Sequence, residues 1–252
     1  MARADAGGSA PMLRLGIIFW MSVAWIFALV FFAIFIDLLP LRDPDALGIR
    51  TREVAKFEGP GWNAWFGGDG QGRDQFARVV AGARPALILG VTVTVIGGLL
   101  GSALGVTAGY LRGKVDTVTT IAIDIALAFP ALVLLIAVRA TFGNSMSVFI
   151  VLFIASSIPS YARIVRGAAL ALSEREFVDA AVAMGATKRR VLLRELAPNI
   201  ALPVLSFAFI GFALVIVAEG GLAFIGLSLD QTTWGKLIAE APETSSTTHM
   251  CR

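Results

Sequence analysis

Few residues in this sequence combine a reactive side chain with a setting in which it could do chemistry. The single histidine, His249, and the single cysteine, Cys251, lie within the last four residues, where a disordered tail is the expected state. The sequence therefore excludes a His-dependent triad, a disulfide framework and a Cys/His metal cluster. Two carboxylates remain as candidates, Asp124 and Glu219, because each accompanies a long apolar run.

The composition shows what those apolar runs are. The chain has 252 residues, of which 57% are hydrophobic and 15% charged, and its mean hydropathy is +0.79. Soluble domains are nearer 45–50% apolar and about a quarter charged, so the sequence predicts an all-α integral membrane protein. The net charge is only +3, and no basic patch is interleaved with aromatic residues. We therefore expect membrane lipid, and no nucleic acid, around this chain.

An ionisable group inside a membrane span is expensive unless it faces protein, water or the interface. Asp124 is predicted to make a helix-to-helix hydrogen bond or to face a transport pathway, and anchoring is favoured because no basic residue is evident at matching depth. Glu219 either gates a pathway or hydrogen-bonds its own re-entrant turn, with the turn favoured. Asp124 alone does not supply the constellation that an intramembrane enzyme needs.

Uncharged runs long enough to cross a hydrocarbon core of about 30 Å predict five transmembrane helices. The opening run is too long for the core of a signal peptide and lacks a cleavage site, so it is expected to remain as the first span. The predicted organisation is a cytoplasmic tail at 1–14, a transmembrane domain at 15–240 and a tail at 241–252, with spans at about 15–37, 85–111, 117–139, 145–163 and 200–219, an external loop at 38–84 and a cytoplasmic loop at 164–199.

The distribution of charge predicts the orientation. The segment 163–198 has seven basic and four acidic residues, whereas the segment 37–84 has seven of each. Basic residues concentrate in cytoplasmic loops, so the amino terminus is placed in the cytoplasm.

A glycine recurs at every fourth position in the second span. This spacing places the glycines in one stripe, where the absence of side chains lets a neighbouring helix approach closely. Helix packing is the favoured interpretation, and lining of a substrate path is the alternative for the four residues Gly97, Gly101, Gly105 and Gly109.

The segment from Arg163 to Pro198 is the longest charged interval between apolar runs. Its small residues predict a short helix along the membrane surface, broken near Gly185 and restarted after it. This segment resembles the EAA loop of binding-protein-dependent ABC importer permeases, with Asp179, Glu195 and Ala197 departing from the family pattern. The resemblance assigns ATPase coupling to Glu176, Asp179, Ala180, Ala181, Gly185, Ala186 and Pro198.

Other segments resemble the C-type permease subunit of the dipeptide/oligopeptide (peptide/nickel) ABC importer family. They include Ala128-Phe129-Pro130, Glu219-Gly220-Gly221 and Trp234-Gly235. An external signature is formed by Asp69, Gly72, Arg73 and Asp74, followed by Arg78. Arg73 and Asp74 either bond each other in a helix cap or contact a binding protein.

The resemblance implies the transmembrane domain of a type I ABC importer in the cytoplasmic membrane, with the EAA-type loop as a cytoplasmic coupling helix. It implies a heterodimer with a second permease subunit, two ATPase subunits that bind ATP and Mg, an extracytoplasmic binding protein and a peptide substrate. The chain itself is expected to be a pore-forming subunit and not an enzyme, with no cofactor, metal site or ATP-binding motif of its own.

Members of this family usually continue into a sixth span, and no apolar run follows Glu240. A truncated product, even a non-transporting one, is one expectation, and a five-span subunit is the other. An ion-coupled secondary carrier is the functional alternative, but it would call for inverted halves with broken helices at corresponding positions, which are not evident.

Overall fold

The structure is a computed structural model that describes residues 16–38, 41, 43–45, 54, 56–62 and 64–248. The predicted tail at 1–14, His249 and Cys251 lie outside the described residues. Within the described part, helices are the regular elements, and a single β-bridge joins Gly68 to Asp74.

The helices follow the order of the apolar runs. Their bounds are α1 (Ile17–Phe35, continued by a 3-10 turn at Ile36–Leu38), α2 (Gln75–Leu111), α3 (Gly113–Ala128), α4 (Ala131–Phe142), α5 (Met146–Ser173), α6 (Glu176–Ala183), α7 (Lys188–Arg190), a π-helical turn (Val191–Leu196), α8 (Ala197–Phe224) and α9 (Trp234–Thr248). Four of the described helical stretches could each cross a membrane by length and composition, and α3 with α4 would make a fifth span as a bent pair. The predicted all-helical membrane fold is confirmed.

Two of the spanning helices extend well beyond their uncharged runs. Helix α2 begins ten residues before Pro85, because the Asp74 side chain accepts hydrogen bonds from the backbone N–H groups of Phe76 and Ala77 and so caps the helix. Helix α5 likewise continues to Ser173, ten residues past Arg163. A charged residue ends the lipid-facing segment of a helix without ending the helix itself.

The predicted third span consists of two helices. Pro130 has no N–H, and it disfavours helical backbone at the preceding residue. Phe129 is accordingly extended, with φ −83° and ψ 127°, and the next helix starts with the N–H groups of Val133 and Leu134 on the Pro130 carbonyl. The axes of Gly113–Ala128 and Val133–Phe142 differ by 74°.

Helices α2 and α5 pack along the glycine stripe. A Cβ atom at Gly101 would lie 2.5 Å from the Tyr161 Cβ and 2.7 Å from the Ile158 carbonyl oxygen, and one at Gly105 would lie 2.5 Å from the Ala162 carbonyl oxygen. Because these obstacles are main chain or Cβ atoms, they cannot rotate away. The stripe therefore lets the two backbones approach more closely than alanine would allow.

Two apolar clusters hold the helices together. The first joins α2, α4, α5, α8 and the residues before α9, through Leu89, Val93, Leu135, Phe149, Leu152, Phe153, Val215, Leu222 and Leu229. The second lies at the other end of α5 and consists of Val165, Ala169, Val178, Val191, Leu196 and Ile200. This second core cluster fixes the position of the segment that follows α5.

Candidate functional site

The α5–α8 connection, residues 174–187, is the first candidate site. Its helix α6 has two buried side chains, Val178 and Ala181, which lie three residues apart and so face the same side. Val178 belongs to the second core cluster together with Val165 of α5 and Val191 of the π-helical turn. Helix α6 is therefore fixed directly to the ends of two spanning helices.

A Schellman turn ends α6. The Ala186 N–H donates to the Ala181 carbonyl at 3.0 Å, and the Gly185 N–H donates to the Val182 carbonyl at 2.9 Å. Gly185 has φ +83°, a left-handed conformation, while no atom lies within 4 Å of where its Cβ would be. Backbone conformation, and not lack of space, requires glycine at this position.

The chain then reverses into the long α7–α8 helix. Thr187 caps its start by accepting a hydrogen bond from the Arg190 N–H. The π-helical turn that follows places Val191 and Leu196, five residues apart, in the second core cluster, both fully buried. Glu195, which departs from the family pattern, directly precedes the buried Leu196.

The opposite face of the connection is uncovered. Met184 is 83% exposed, and Phe177 and Val182 are exposed beside it. Asp179 and Ala180, which the sequence singled out, lie on this exposed side of α6, whereas Ala181 lies on the buried side. The arrangement presents apolar and acidic side chains outward from an element whose inner side is anchored.

The external signature folds into a second site, a cluster of four charges. The Asp69 carboxylate accepts from Arg73 Nε at 2.6 Å and from Arg78 Nη1 at 2.9 Å. Glu240 of α9 accepts from Nη2 of each arginine at 2.8 Å. These residues line part of a cavity of about 560 Å³. The signature arginines therefore tie the start of α2 to α9.

The Asp69 carboxyl is buried, which by itself raises its pKa. Hydrogen bonds from the backbone N–H and the guanidinium of Arg73, and from the backbone N–H of Gln71, outweigh that effect and hold the pKa below its usual value. Asp69 is thus charged at neutral pH and balances the two arginines. Asp74, which belongs to the same signature, caps α2, while the Arg73 guanidinium bonds Asp69 and Glu240.

Helix α9 begins in close contact with α2 and α8. The Glu219 carboxylate accepts a hydrogen bond from the Thr233 hydroxyl at 2.7 Å, and the Trp234 indole N–H donates to the Val79 carbonyl at 2.8 Å. A Cβ atom at Gly82 would lie 2.6 Å from the Trp234 ring. Glu219 thus hydrogen-bonds the turn that follows its own helix, as the alternative favoured from the sequence described. The Glu219 and Trp234 motifs, which are separate in sequence, meet at the start of α9.

Two ion pairs join α3 to α5. Asp124 pairs with Arg163, and Asp116 pairs with Arg166, whose Nη2 lies 2.8 Å from Oδ2. The expectation that Asp124 lacks a basic residue at matching depth is wrong, because α3 and α5 run side by side and bring Arg163 to the same level. Sequence reasoning took Arg163 as the end of a span, and so missed it as a partner.

Comparison with known proteins identifies the chain. Residues 101–245 match the family described as the binding-protein-dependent transport system inner membrane component. The chain belongs to this family. Its matched region contains three of the four glycines of the stripe, both α3–α5 ion pairs, the α5–α8 connection and Glu219. The protein is therefore the permease subunit of an ABC importer and a multi-pass protein of the inner membrane.

Three relatives show how far the similarity extends. A protein of Brucella suis, provisionally named a peptide transport system permease, is 37% identical over 204 residues, which is 80% of this chain and 67% of that protein. The dipeptide transport system permease protein of Alkalihalophilus pseudofirmus is 33% identical, over 76% of this chain and 64% of the relative. The glutathione transport system permease protein of Pectobacterium atrosepticum is 34% identical, over 73% and 62%.

The permease thus brings the predicted residues together in separate groups. The residues for which ATPase coupling is predicted lie in the α5–α8 connection, except Pro198 in the first turn of α8. The signature residues lie just before the start of α2. Sequence reasoning missed Glu240 and Met184 as parts of these groups. Glu240 and Arg78 are 162 residues apart in sequence. The i, i+4 spacing of Lys236 and Glu240 on their own amphipathic helix therefore gave no indication of a partner on α2.

Proposed function

We propose that this permease subunit moves di- and oligopeptides inward across the cytoplasmic membrane and receives the work of ATP hydrolysis through the α5–α8 connection. Peptide, dipeptide and glutathione transport in the names of three relatives supports the substrate class. The partners are a second permease subunit, two ATPase subunits that bind ATP and Mg, and an external binding protein.

The observation that carries this proposal is that one face of the α5–α8 connection is buried against the spanning helices while the opposite face is exposed. On one side Val178 joins a cluster that includes residues of α5, the π-helical turn and α8, so a displacement of α6 must move those helices with it. On the other side Met184 and its neighbours are exposed. An anchored inner face and an uncovered outer face suit a contact through which another subunit pushes.

Within the connection the predicted residues take different parts in this proposal. Asp179, Ala180 and Glu176 face the ATPase, Ala181 holds α6 to the membrane helices, and Gly185 with Ala186 forms the turn. Pro198 lies in the first turn of α8, where its missing N–H costs little. ATP binding moves the permease because the closed ATPase dimer binds nucleotide better than the open one.

The proposed orientation places the connection and the amino terminus in the cytoplasm and the external signature outside. The uncompensated positive charge of segment 163–198 supports it. In this orientation the ion-pair cluster of Asp69, Arg73, Arg78 and Glu240 closes the outer end of the permease, on the side where a binding protein delivers substrate.

Site-directed cross-linking tests the proposal. Replacing the only native cysteine by Cys251→Ser gives a background in which Met184→Cys supplies a single thiol, and Trp62→Cys, which is fully exposed in the segment before α2, supplies its control. A maleimide–benzophenone reagent attaches to this thiol and, on illumination, inserts into a C–H bond of a neighbouring chain. It is expected to link Met184→Cys to a co-purified ATPase subunit, and Trp62→Cys to none.

The same two variants test orientation. A membrane-impermeant maleimide added to intact cells is expected to label Trp62→Cys and to leave Met184→Cys unlabelled until the membrane is opened. Labelling of Met184→Cys in intact cells would overturn the orientation. Cross-linking of neither variant, together with peptide uptake that continues without ATP, would favour an ion-coupled carrier.

A further inference from the structure

The ion pair between Asp124 and Arg163 is the feature that the proposed coupling and packing roles leave unexplained. Its two side chains are 58% and 55% exposed although both belong to spanning helices. Charged groups in a membrane face protein or water and not lipid. The surface around this pair is therefore covered by water or by protein in the assembled importer.

The pair lies toward the cytoplasmic end of the membrane-spanning region. Arg163 ends the uncharged run of α5, which continues ten residues beyond it to Ser173. Asp124 lies seven residues inside the predicted span at 117–139, which corresponds to about 10 Å of helix. A site built on this pair would therefore lie at the inner end of the pathway.

The helix break next to the pair is a second and independent observation. Helix α3 ends at Ala128, one turn beyond Asp124, and the chain turns by 74° before it continues. Backbone that leaves its helix at membrane depth is tolerated where it is buried in protein or lines a water-filled cavity. Phe129 at the break is exposed in this subunit, which is compatible with the lining of a cavity.

The chemistry of this place suits a ligand with separate positive and negative ends. The last turn of a helix leaves carbonyl groups without intrahelical partners and has negative partial charge, which adds to the carboxylate of Asp124. Arg163 offers donors that match a carboxylate. Asp116 and Arg166, the other α3–α5 pair, are less exposed and lie further from the break.

We propose that Asp124, Arg163 and the break after α3 form a contact site in the translocation pathway for the charged termini of a peptide. Asp124 and the end of α3 take the terminal ammonium group, and Arg163 takes the terminal carboxylate. This inference rests on the proposed peptide transport. The ion pair of the empty permease keeps both charges paired until a peptide exchanges with it.

Uptake by the complete importer in proteoliposomes tests the site with three probes: trialanine, its N-acetyl form and its C-terminal amide. Asp124→Asn is expected to slow uptake of trialanine and of the amide about tenfold and to spare the acetylated peptide, which has no ammonium group. Arg163→Gln is expected to slow uptake of trialanine and of the acetylated peptide and to spare the amide, which has no carboxylate. Tenfold is the usual effect of losing one hydrogen bond to a charged group. Each peptide is compared with itself across variants, so the preference of the binding protein cancels.

The matched controls are Asp116→Asn and Arg166→Gln, which remove the other α3–α5 ion pair and are expected to change uptake of the three probes in equal proportion. The same equal change for Asp124→Asn and Arg163→Gln would overturn the site. Full restoration of wild-type uptake by the reversed pair Asp124→Arg with Arg163→Asp would also overturn the site. An ion pair that only holds α3 to α5 works in either direction, whereas a site for the two peptide termini does not.

A measurement without transport distinguishes this inference from the proposed function. Ala128→Cys in the Cys251→Ser background lies one turn from Asp124 on the same side of α3. It is expected to react with a water-soluble methanethiosulfonate, and trialanine is expected to slow the reaction. Absence of reaction overturns the site alone. A wild-type importer that takes up no peptide overturns the proposed function, and the site with it.

Discussion

Arg78 and Asp69 form a buried ion pair, in which Nη1 lies 2.9 Å from Oδ2 and the Arg78 side chain is 1% exposed. Arg78 belongs to α2, and Asp69 belongs to the turn before it. Glu240 binds the other terminal nitrogen of the same guanidinium. One arginine thus holds together the signature turn, the longest helix and the helix that follows the last span.

Removing the charge of Asp69 is expected to destabilise the permease strongly. Asp69→Asn removes one of the two carboxylates that pair with the buried guanidinium of Arg78 and leaves Glu240. Breaking a buried ion pair costs about 3–5 kcal/mol. The measurement is the midpoint of thermal unfolding in detergent. Asp37→Asn is the control, because its pair with Arg84 is largely exposed and contributes less than about 1 kcal/mol. Equal shifts for both variants would contradict the prediction.

The same carboxyl predicts a dependence on pH. Hydrogen bonds lower the pKa of Asp69 in the folded permease below the value of about 3.9 for an unfolded chain. A depressed pKa contributes stability that is present above the unfolded value and is lost as pH falls through the folded one. The unfolding midpoint of the wild type is expected to fall more steeply below about pH 4 than that of Asp69→Asn. Parallel curves would show that Asp69 is not the responsible group.

Alanine in the glycine stripe is expected to separate α2 from α5. At Gly105 a Cβ atom would lie 2.5 Å from the Ala162 carbonyl oxygen and 2.8 Å from the Val165 Cβ, and overpacking of this kind costs about 1–3 kcal/mol. Gly167→Ala on α5 is the matched control, since no atom lies within 4 Å of its Cβ position and alanine favours a helix. A Gly105→Ala variant as stable as Gly167→Ala would show that the two backbones are not in close contact.

Gly185→Ala is expected to impair coupling beyond its effect on stability. Gly143, between α4 and α5, has φ +84° against +83° for Gly185, and neither has an atom near its Cβ position. Alanine in this conformation costs roughly 1–2 kcal/mol at either site. Uptake per ATP hydrolysed by the reconstituted importer is expected to fall for Gly185→Ala and to stay at the wild-type value for Gly143→Ala. An equal fall for both would mean that backbone strain alone is responsible.

The all-helical membrane class, the apolar runs and the turn at Gly185 could be predicted from the sequence. Apolar runs identify spans because lipid contact imposes composition over some twenty residues. Gly185 marks the end of α6 because a left-handed residue there requires glycine. Both are local requirements, so neither depends on how the helices are arranged.

Tertiary structure alone decided which charges meet. Asp124 looked unpaired because Arg163 is 39 residues away in sequence, and only the side-by-side course of α3 and α5 brings them together. Glu240 reaches Arg73 and Arg78 for the same reason. Ion pairs between helices depend on depth and on helix rotation, which periodicity within one helix does not specify, and so the permease's charged sites emerged only from the packing.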